Sequence, residues 1–190
     1  MHMINTSCLK YLSKEHNKNN FFCEEENLNI FLKKYARQKH EQNLSKTYVW
    51  PDDHNNVMAY ITIAYDTVDL SGLNEVPNEL GRSAKESIPV IYLLMLARDK
   101  TYKGKKTGRI LLLEAIKMTY NASKIAGIKG LFLTAANEEV AEKFYDKIEF
   151  LKKISQIIDN ENKPRIVYYI PIKQIEAIVL DLQKQTNMQK

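Results

Sequence analysis

Apolar side chains recur at helical spacing in four segments of the chain, and these segments are predicted to be its helices. In the first, residues 24–42, Leu28, Phe31, Leu32 and Tyr35 fall at positions i, i+3, i+4 and i+7, which places them on one face. Such a helix packs its apolar face on a core and leaves the opposite face in solvent. The other predicted helices are residues 107–126, 137–148 and 172–184.

Shorter apolar or alternating segments between these helices are predicted to be β-strands. Residues 45–50 and 57–66 flank a loop of Pro, Asp, His and Asn, which favours an antiparallel hairpin. The segment "PVIYLLMLARD", which begins at Pro89, is almost continuously apolar, as is typical of a central strand covered on both faces. The remaining predicted strands are residues 131–136, 151–158 and 165–170. Residues 69–88 are predicted to be a loop or a short irregular helix.

The order of these elements predicts an α/β fold in which helices flank a mixed, mostly antiparallel central sheet. With 190 residues, of which 44% are hydrophobic, the chain has the length and composition of one domain with a single core. Residues 1–20 are polar and are expected to form a poorly ordered arm, residues 21–172 the domain, and residues 173–190 a C-terminal helix and tail.

Several classes of protein are disfavoured by composition. No run of 18 or more apolar residues occurs, and the polar N-terminus lacks the apolar core of a secretory signal, so a cytoplasmic protein without a membrane partner is expected. Cys8 and Cys23 stand far apart without a neighbouring histidine cluster. Neither a disulfide framework nor a metal site is therefore predicted.

Positive charge is concentrated between Arg98 and Arg109. The chain has a net charge of +5, and this short segment holds six basic residues and one acid, Asp99. Because a strand, a glycine-containing basic loop and a helix follow one another here, backbone N–H groups and the positive end of a helix dipole converge on one point, which favours a phosphate. The nucleotide patterns GxxxxGK[ST] and GxGxxG are both absent.

The loop resembles that of the Gcn5-related N-acetyltransferases, whose pattern [QR]xxGx[GA] corresponds here to residues 103–108. The resemblance implies the family's fold and a loop whose amides hold the pyrophosphate of acetyl-coenzyme A (acetyl-CoA). Lys106 replaces the first glycine, so a strained turn and weakened cofactor binding are expected. The resemblance implies cofactor contacts from Leu96, Ala97, Arg98, Lys103, Gly104, Lys105, Lys106, Thr107, Gly108, Arg109 and Asn137.

A second segment, "NEEVAEKFYDKIEF" at residues 137–150, resembles the family's AxxFYxxxGF signature, with Glu149 in the glycine position. The resemblance implies that Tyr145 lies beside the thioester sulfur and acts as general acid for the departing thiolate. A phenol with a pKa of about 10 is protonated at neutral pH and can fill this role. The alternative is that Phe144 and Tyr145 only pack in the core.

A more specific resemblance covers most of the chain from Phe22 to Ile172. Here the sequence is similar to the acetyltransferase toxins of bacterial toxin–antitoxin pairs, although Met95 stands where that group often has arginine. The resemblance implies acetylation of the α-amino group of aminoacyl-tRNA, a cognate DNA-binding antitoxin and a homodimer. The matching positions are Leu28, Phe31, Leu32, Ala36, Gln38, Ser45, Thr47, Tyr48 and Val49.

An aminoacyl-tRNA acceptor is consistent with the residue types found in the sequence. The α-amine has a pKa of about 7.7–8.0 or lower, so a useful fraction is neutral without a strong base, and none is evident in the sequence. A second basic group on and after the first predicted helix, Lys33, Lys34, Arg37 and Lys46, is predicted to contact RNA phosphates. The alternative for this group is a solvated helix face.

Two other functions are open at this stage. An acetyltransferase for a small amine or a protein lysine would need a base or a water chain, because a lysine amine with a pKa of about 10.4 is almost wholly charged at pH 7. A non-catalytic binding protein would explain why Lys106, Met95 and Glu149 all depart from the family's pattern.

Overall fold

The computed structural model describes residues 9–69, 87–158 and 164–187. The predicted loop at residues 69–88 therefore lies almost wholly outside the described residues. The strands are β1 (Lys10–Tyr11), β2 (Lys46–Pro51), β3 (Val57–Asp69), β4 (Ser87–Arg98), β5 (Gly130–Thr134), β6 (Lys152–Ile158) and β7 (Pro164–Pro171). The helices are α1 (Glu26–Ile30), α2 (Ala36–Glu41), α3 (Thr107–Ser123), α4 (Glu138–Lys143) and α5 (Ile172–Asn187), with a π-helical segment, Phe31–Tyr35, between α1 and α2.

The strands are hydrogen-bonded in the order β1-β2-β3-β4-β5-β7-β6. The pairs β1–β2, β2–β3, β5–β7 and β6–β7 are antiparallel. The predicted α/β fold, with helices flanking a mostly antiparallel sheet, is confirmed. Contacts divide the chain into two compact units, Met1–Ala64 with Leu93–Ala115 and Tyr65–Tyr92 with Ile116–Lys190.

In the first unit, the helical segments from α1 to α2 pack on strands β2 and β3. Most of the apolar face predicted from sequence is buried: Phe31 and Leu32 join Val49 and Tyr60 in one hydrophobic cluster, and Leu28 packs against it. Tyr35 is the exception and is 49% exposed, because the π-helical segment changes the residue spacing on which the face was predicted. The Tyr60 hydroxyl donates a hydrogen bond of 2.9 Å to the Leu28 carbonyl and so ties helix to strand.

A side chain from the N-terminal region donates to two carbonyl groups of the π-helical segment. The Lys18 ammonium donates to the carbonyls of Leu32 and Lys33 at 3.1 and 2.6 Å. Burial, followed by the charge of Arg37, lowers the pKa of Lys18. These contacts join the N-terminal region to the helix.

The described part of the predicted N-terminal arm is ordered, which differs from the expectation for residues 1–20. Strand β1 pairs with β2, with Lys10 opposite Val49 and Tyr11 opposite Tyr48. Leu12 is buried in the core of the first unit. The sequence analysis missed this strand because two paired residues are too few to produce an alternating pattern.

In the second unit, β5 and β7 form the core with Phe132 and Tyr169, whose hydroxyl donates to the Lys129 carbonyl at 2.9 Å. Helix α4 is shorter than predicted: it ends at Lys143, and a 3₁₀ turn, Tyr145–Lys147, follows. Among the described residues, no helix combines the length and apolarity needed to cross a membrane.

The packing at Gly130 predicts a large effect of a small substitution. A Cβ there would lie 2.2 Å from the Ile170 carbonyl oxygen and 2.4 Å from the Tyr169 ring. We expect Gly130→Ala to lower the free energy of unfolding by about 2–3 kcal/mol in urea denaturation, because the paired backbone of β7 has to move. Gly127→Ala, where no atom lies within 4 Å, is the control and should not be destabilised; equal losses in both variants would contradict the prediction.

Candidate active site

The loop between β4 and α3 is anchored at its start by the carboxylate of Asp99. This side chain is only 8% exposed and accepts hydrogen bonds from the backbone N–H of Phe22 at 2.8 Å and from the backbone N–H and hydroxyl of Thr101 at 2.9 and 2.7 Å. Its own N–H donates to the Met58 carbonyl, and the Lys100 N–H donates to the Phe22 carbonyl. The end of β4 is thereby fixed to β3 and to the segment before α1.

These contacts also set the charge state of Asp99. Burial alone would raise the pKa of this carboxyl, but the hydrogen bonds from Thr101 and Phe22 and the charge of Lys100 outweigh burial, so the pKa lies below its usual value. Asp99 is therefore ionised throughout the neutral range.

The turn itself requires backbone conformations that favour glycine. Gly104 has φ +83°, with open space beside its Cα, and Lys106 has φ +56°. The expected strain at Lys106 is thus present, because the left-handed region is unfavourable for a residue with a Cβ. The space at Gly104 leaves the loop open to an approaching phosphate.

Helix α3 begins at Thr107, directly after this turn, and has no acidic residue in its first turn. The N–H of Ile110 donates to the Lys106 carbonyl at 3.2 Å. Ile110 is thus the first residue of α3 whose N–H is paired within the helix, so the N–H groups at positions 107–109 are available to an anion at the positive end of the helix dipole. Gly104, Thr107 and Gly108 therefore fit the predicted pyrophosphate-binding loop.

The basic side chains of the loop differ in their contacts. Lys103 forms an ion pair of 2.8 Å with Glu24, in which both side chains are largely exposed. The Lys105 ammonium lies 4.9 Å from the centre of the Tyr102 ring. Lys106 and Arg109 are exposed and make no ion pair with another described residue. These two cations are the ones in the loop that are free to meet a phosphate.

The last residues of β4 alternate between the two faces of the strand. Ala97 is buried in the hydrophobic cluster of the first unit, and Leu96 and Arg98 are partly exposed. Met95, in the position where the toxins often have arginine, packs against the same cluster. Met95 thus contributes apolar packing here.

Tyr145 lies in the second unit and is 6% exposed. Its ring contacts Phe144 and Tyr168, with centroid distances of 4.9 and 5.3 Å. Burial raises the pKa of Tyr145. Tyr168, which the sequence analysis did not single out, donates a hydrogen bond of 2.5 Å to Asp146 and is thereby fixed beside Tyr145.

Asn137 has a structural contact at the start of α4. Its side-chain oxygen accepts a hydrogen bond of 2.8 Å from the Val140 N–H, which is the usual contact of an N-cap residue. Its predicted role at the cofactor stays a prediction, as does the role of Tyr145.

The predicted RNA-binding residues all lie in the first unit. Lys34 is exposed and Lys33 partly so, both in the π-helical segment. Arg37 lies 3.7 Å from Glu41, and the Lys46 ammonium donates to the His40 carbonyl and to the Asn43 side chain. Among the described residues, no three His, Cys, Asp or Glu side chains come together in a way that could hold a metal ion.

Comparison with known proteins supports the resemblance drawn from the sequence. No family model matches the chain. A tRNA-acetylating toxin of Mycobacterium tuberculosis is 27% identical over 148 residues, which is 78% of this chain and 86% of the relative.

Two solved structures of the toxin AtaT have the same fold. AtaT complexed with acetyl-methionyl-tRNAfMet matches with a TM-score of 0.72 and 25% identity, over 90% of this chain and 98% of that one. A mutant of AtaT bound to the C-terminus of the antitoxin AtaR and acetyl-CoA matches with a TM-score of 0.68 and 24% identity, over 90% of this chain and 96% of that one. The expected likeness to the acetyltransferase toxins is confirmed.

The contacts of Asp99 predict how stability depends on pH. We expect Asp99→Asn to lower the free energy of unfolding by about 1–3 kcal/mol at pH 7, because an amide cannot accept from all three donors. A depressed carboxyl pKa stabilises the fold above the unfolded value of about 3.9 and loses this effect as pH falls through the folded pKa. Urea denaturation between pH 7 and pH 3 should show the difference shrinking below about pH 4. Asp53→Asn, at an exposed position, is the control; a difference independent of pH would contradict the assignment.

The left-handed conformation of Lys106 predicts that glycine is better tolerated at this position. We expect Lys106→Gly to raise the free energy of unfolding by about 0.5–1 kcal/mol, since relief of backbone strain exceeds the added entropy of the unfolded chain. Lys105→Gly, whose native φ is negative, should instead lower it by about 0.5–1 kcal/mol. Thermal or urea denaturation distinguishes the two, and equal losses would show that Lys106 carries no strain.

Proposed function

We propose that this chain is an N-acetyltransferase that transfers the acetyl group of acetyl-CoA to the α-amino group of aminoacyl-tRNA and so acts as a toxin that blocks translation. The observation that carries the proposal is the β4–α3 loop, with Gly104 and Lys106 in left-handed conformations directly before the N-terminus of α3. The likeness to AtaT in complex with acetyl-methionyl-tRNAfMet supports the acceptor.

Acetyl-CoA supplies the activated acetyl group as a thioester. In the proposal, the N–H groups at positions 107–109 and the exposed cations Lys106 and Arg109 hold its pyrophosphate. The backbone of Leu96, Ala97 and Arg98 at the end of β4 would meet the pantetheine arm, and Asn137 would contact the cofactor.

The reaction is a nucleophilic substitution at the thioester carbonyl. The neutral α-amine forms the new C–N bond, the C–S bond breaks, and the proton lost by the amine balances the one that the thiolate gains. Tyr145 is proposed to donate a hydrogen bond to the sulfur as negative charge develops there. Because burial raises its pKa, the phenol keeps its proton at neutral pH and is available as this donor.

The acceptor RNA would be held mainly through its phosphates. Lys34 is exposed and Lys33 partly exposed, and Arg37 and Lys46 are partly engaged within the protein. Binding should weaken as salt rises, because each neutralised phosphate releases counterions.

A cytoplasmic location, a homodimer and inhibition by a cognate antitoxin are part of the same proposal. AtaT is seen bound to its antitoxin AtaR.

Transfer of radiolabelled acetyl from acetyl-CoA to a pool of charged tRNA tests the proposal. We expect label in aminoacyl-tRNA and none in uncharged tRNA, and we expect Tyr145→Phe to lower kcat by about 10²- to 10³-fold. Tyr65→Phe, an exposed tyrosine of β3, is the matched control and should react like the parent protein.

The other outcomes separate the alternatives. Acetyl-CoA binding by calorimetry without labelled tRNA would point to a small amine or a protein as acceptor. Absence of acetyl-CoA binding would show that the Lys106 side chain closes the loop, and it would favour a non-catalytic protein.

A further inference from the structure

One edge of the sheet carries exposed aromatic side chains that the proposed chemistry does not use. Tyr11 of β1 is 58% exposed, and the register of β1 and β2 places it opposite Tyr48. The two ring centroids are 4.7 Å apart, and the His40 ring meets Tyr11 edge-on at 5.4 Å. We call Tyr11, Tyr48 and His40 the aromatic cluster.

The rings of the aromatic cluster are held in place before any ligand binds. The Tyr48 hydroxyl donates to the Tyr11 hydroxyl at 3.3 Å, and the Thr47 N–H donates to Nδ1 of His40 at 3.1 Å. Burial, and next the charge of Lys46, lower the pKa of His40, so its ring is neutral at pH 7. A ligand that stacks here would therefore lose little affinity to the ordering of side chains.

A cation lies beside the aromatic cluster. The Lys46 ammonium lies at the His40 carbonyl, within 3.3 Å, and Lys39, adjacent in sequence to His40, is exposed. The neighbouring acid, Glu41, is ion-paired with Arg37. Exposed aromatic faces next to unneutralised ammonium groups are the combination with which proteins bind single-stranded nucleic acids.

We propose that the aromatic cluster is a stacking platform for an unpaired base at the single-stranded acceptor end of tRNA, with Lys39 and Lys46 on the adjoining phosphates. The proposal rests on the proposed function and adds a base-stacking site to its phosphate contacts. Every base has a π-face, so the platform would bind different tRNAs without reading their sequence. A second copy of the chain is a poorer occupant, because a symmetric contact through β1 would bring two basic edges together.

Binding of fluorescently labelled, uncharged tRNA to the whole protein, followed by anisotropy at fixed salt, tests the platform. We expect Tyr11→Leu to weaken binding about tenfold, the size of one lost stacking contact, and Tyr11→Phe to retain it. Tyr65→Leu, at a tyrosine that is 61% exposed, is the matched control and should bind like the parent protein. For tRNA without its unpaired 3′ end, the parent protein and Tyr11→Leu should bind equally.

Other results bear on the platform independently of acetyl transfer. Binding that depends on Tyr11, in a protein that acetylates no tRNA, would support the platform and refute the proposed function. Acetylation of aminoacyl-tRNA with an unchanged KM in Tyr11→Leu would overturn the platform and leave the function intact. A change in oligomeric state in Tyr11→Leu, measured by sedimentation, would show that the aromatic cluster contacts a second copy of the chain. That result would also overturn the base-stacking platform. If the leucine variant fails to fold, loss of binding in Tyr11→Phe relative to Tyr65→Phe would also overturn it, since the phenylalanine ring can still stack.

Discussion

The carboxylate of Asp99 is the contact on which the geometry of the β4–α3 loop depends. It joins the end of β4 and the adjacent turn at Thr101 to the segment before α1 at Phe22, which is 77 positions away in sequence. The buried carboxylate accepts hydrogen bonds from three donors. A neutral side chain in its place would lose part of these hydrogen bonds and their strength. These donors hold the pKa of Asp99 below its usual value, so the anchor stays charged and intact at neutral pH.

The same loop combines backbone strain with positive charge. The acetyltransferase pattern that this loop resembles has glycine where this chain has Lys106, and the structure keeps the left-handed backbone in spite of the Cβ. The Lys106 side chain is exposed, directly before the first residue of α3. Lys103 differs, since its charge is shared with Glu24. In the proposed function, the Lys106 ammonium would strengthen attraction for a phosphate where the helix dipole already favours one.

Local patterns predicted most of the fold, and contacts between distant residues account for most of what they missed. Leu28 and Leu32 follow the helical period, and the continuous apolar run of β4 identifies a central strand, so both elements are visible in the sequence. The glycine pattern located the turn before α3, including the strained position at Lys106. The pairing of Tyr11 with Tyr48, and the bond from Phe22 to Asp99 across 77 positions, leave no periodic signal. The 3₁₀ turn that follows α4 was missed for another reason, since "AEKFYDKI" has helical spacing throughout.

The environment of Tyr145 fits a reaction in which proton affinities are already balanced. An α-amine with a pKa of about 8 and a thiol with a pKa of about 8.5 exchange a proton with little change in free energy, so neither a strong base nor a strong acid is needed. The remaining requirement is to stabilise the thiolate while the C–S bond breaks. Burial raises the pKa of Tyr145, which makes proton release harder and keeps the phenol a hydrogen-bond donor. In the proposed reaction its contribution would be a hydrogen bond to the forming thiolate, and the proton that finally reaches sulfur would be supplied, in net terms, by the amine.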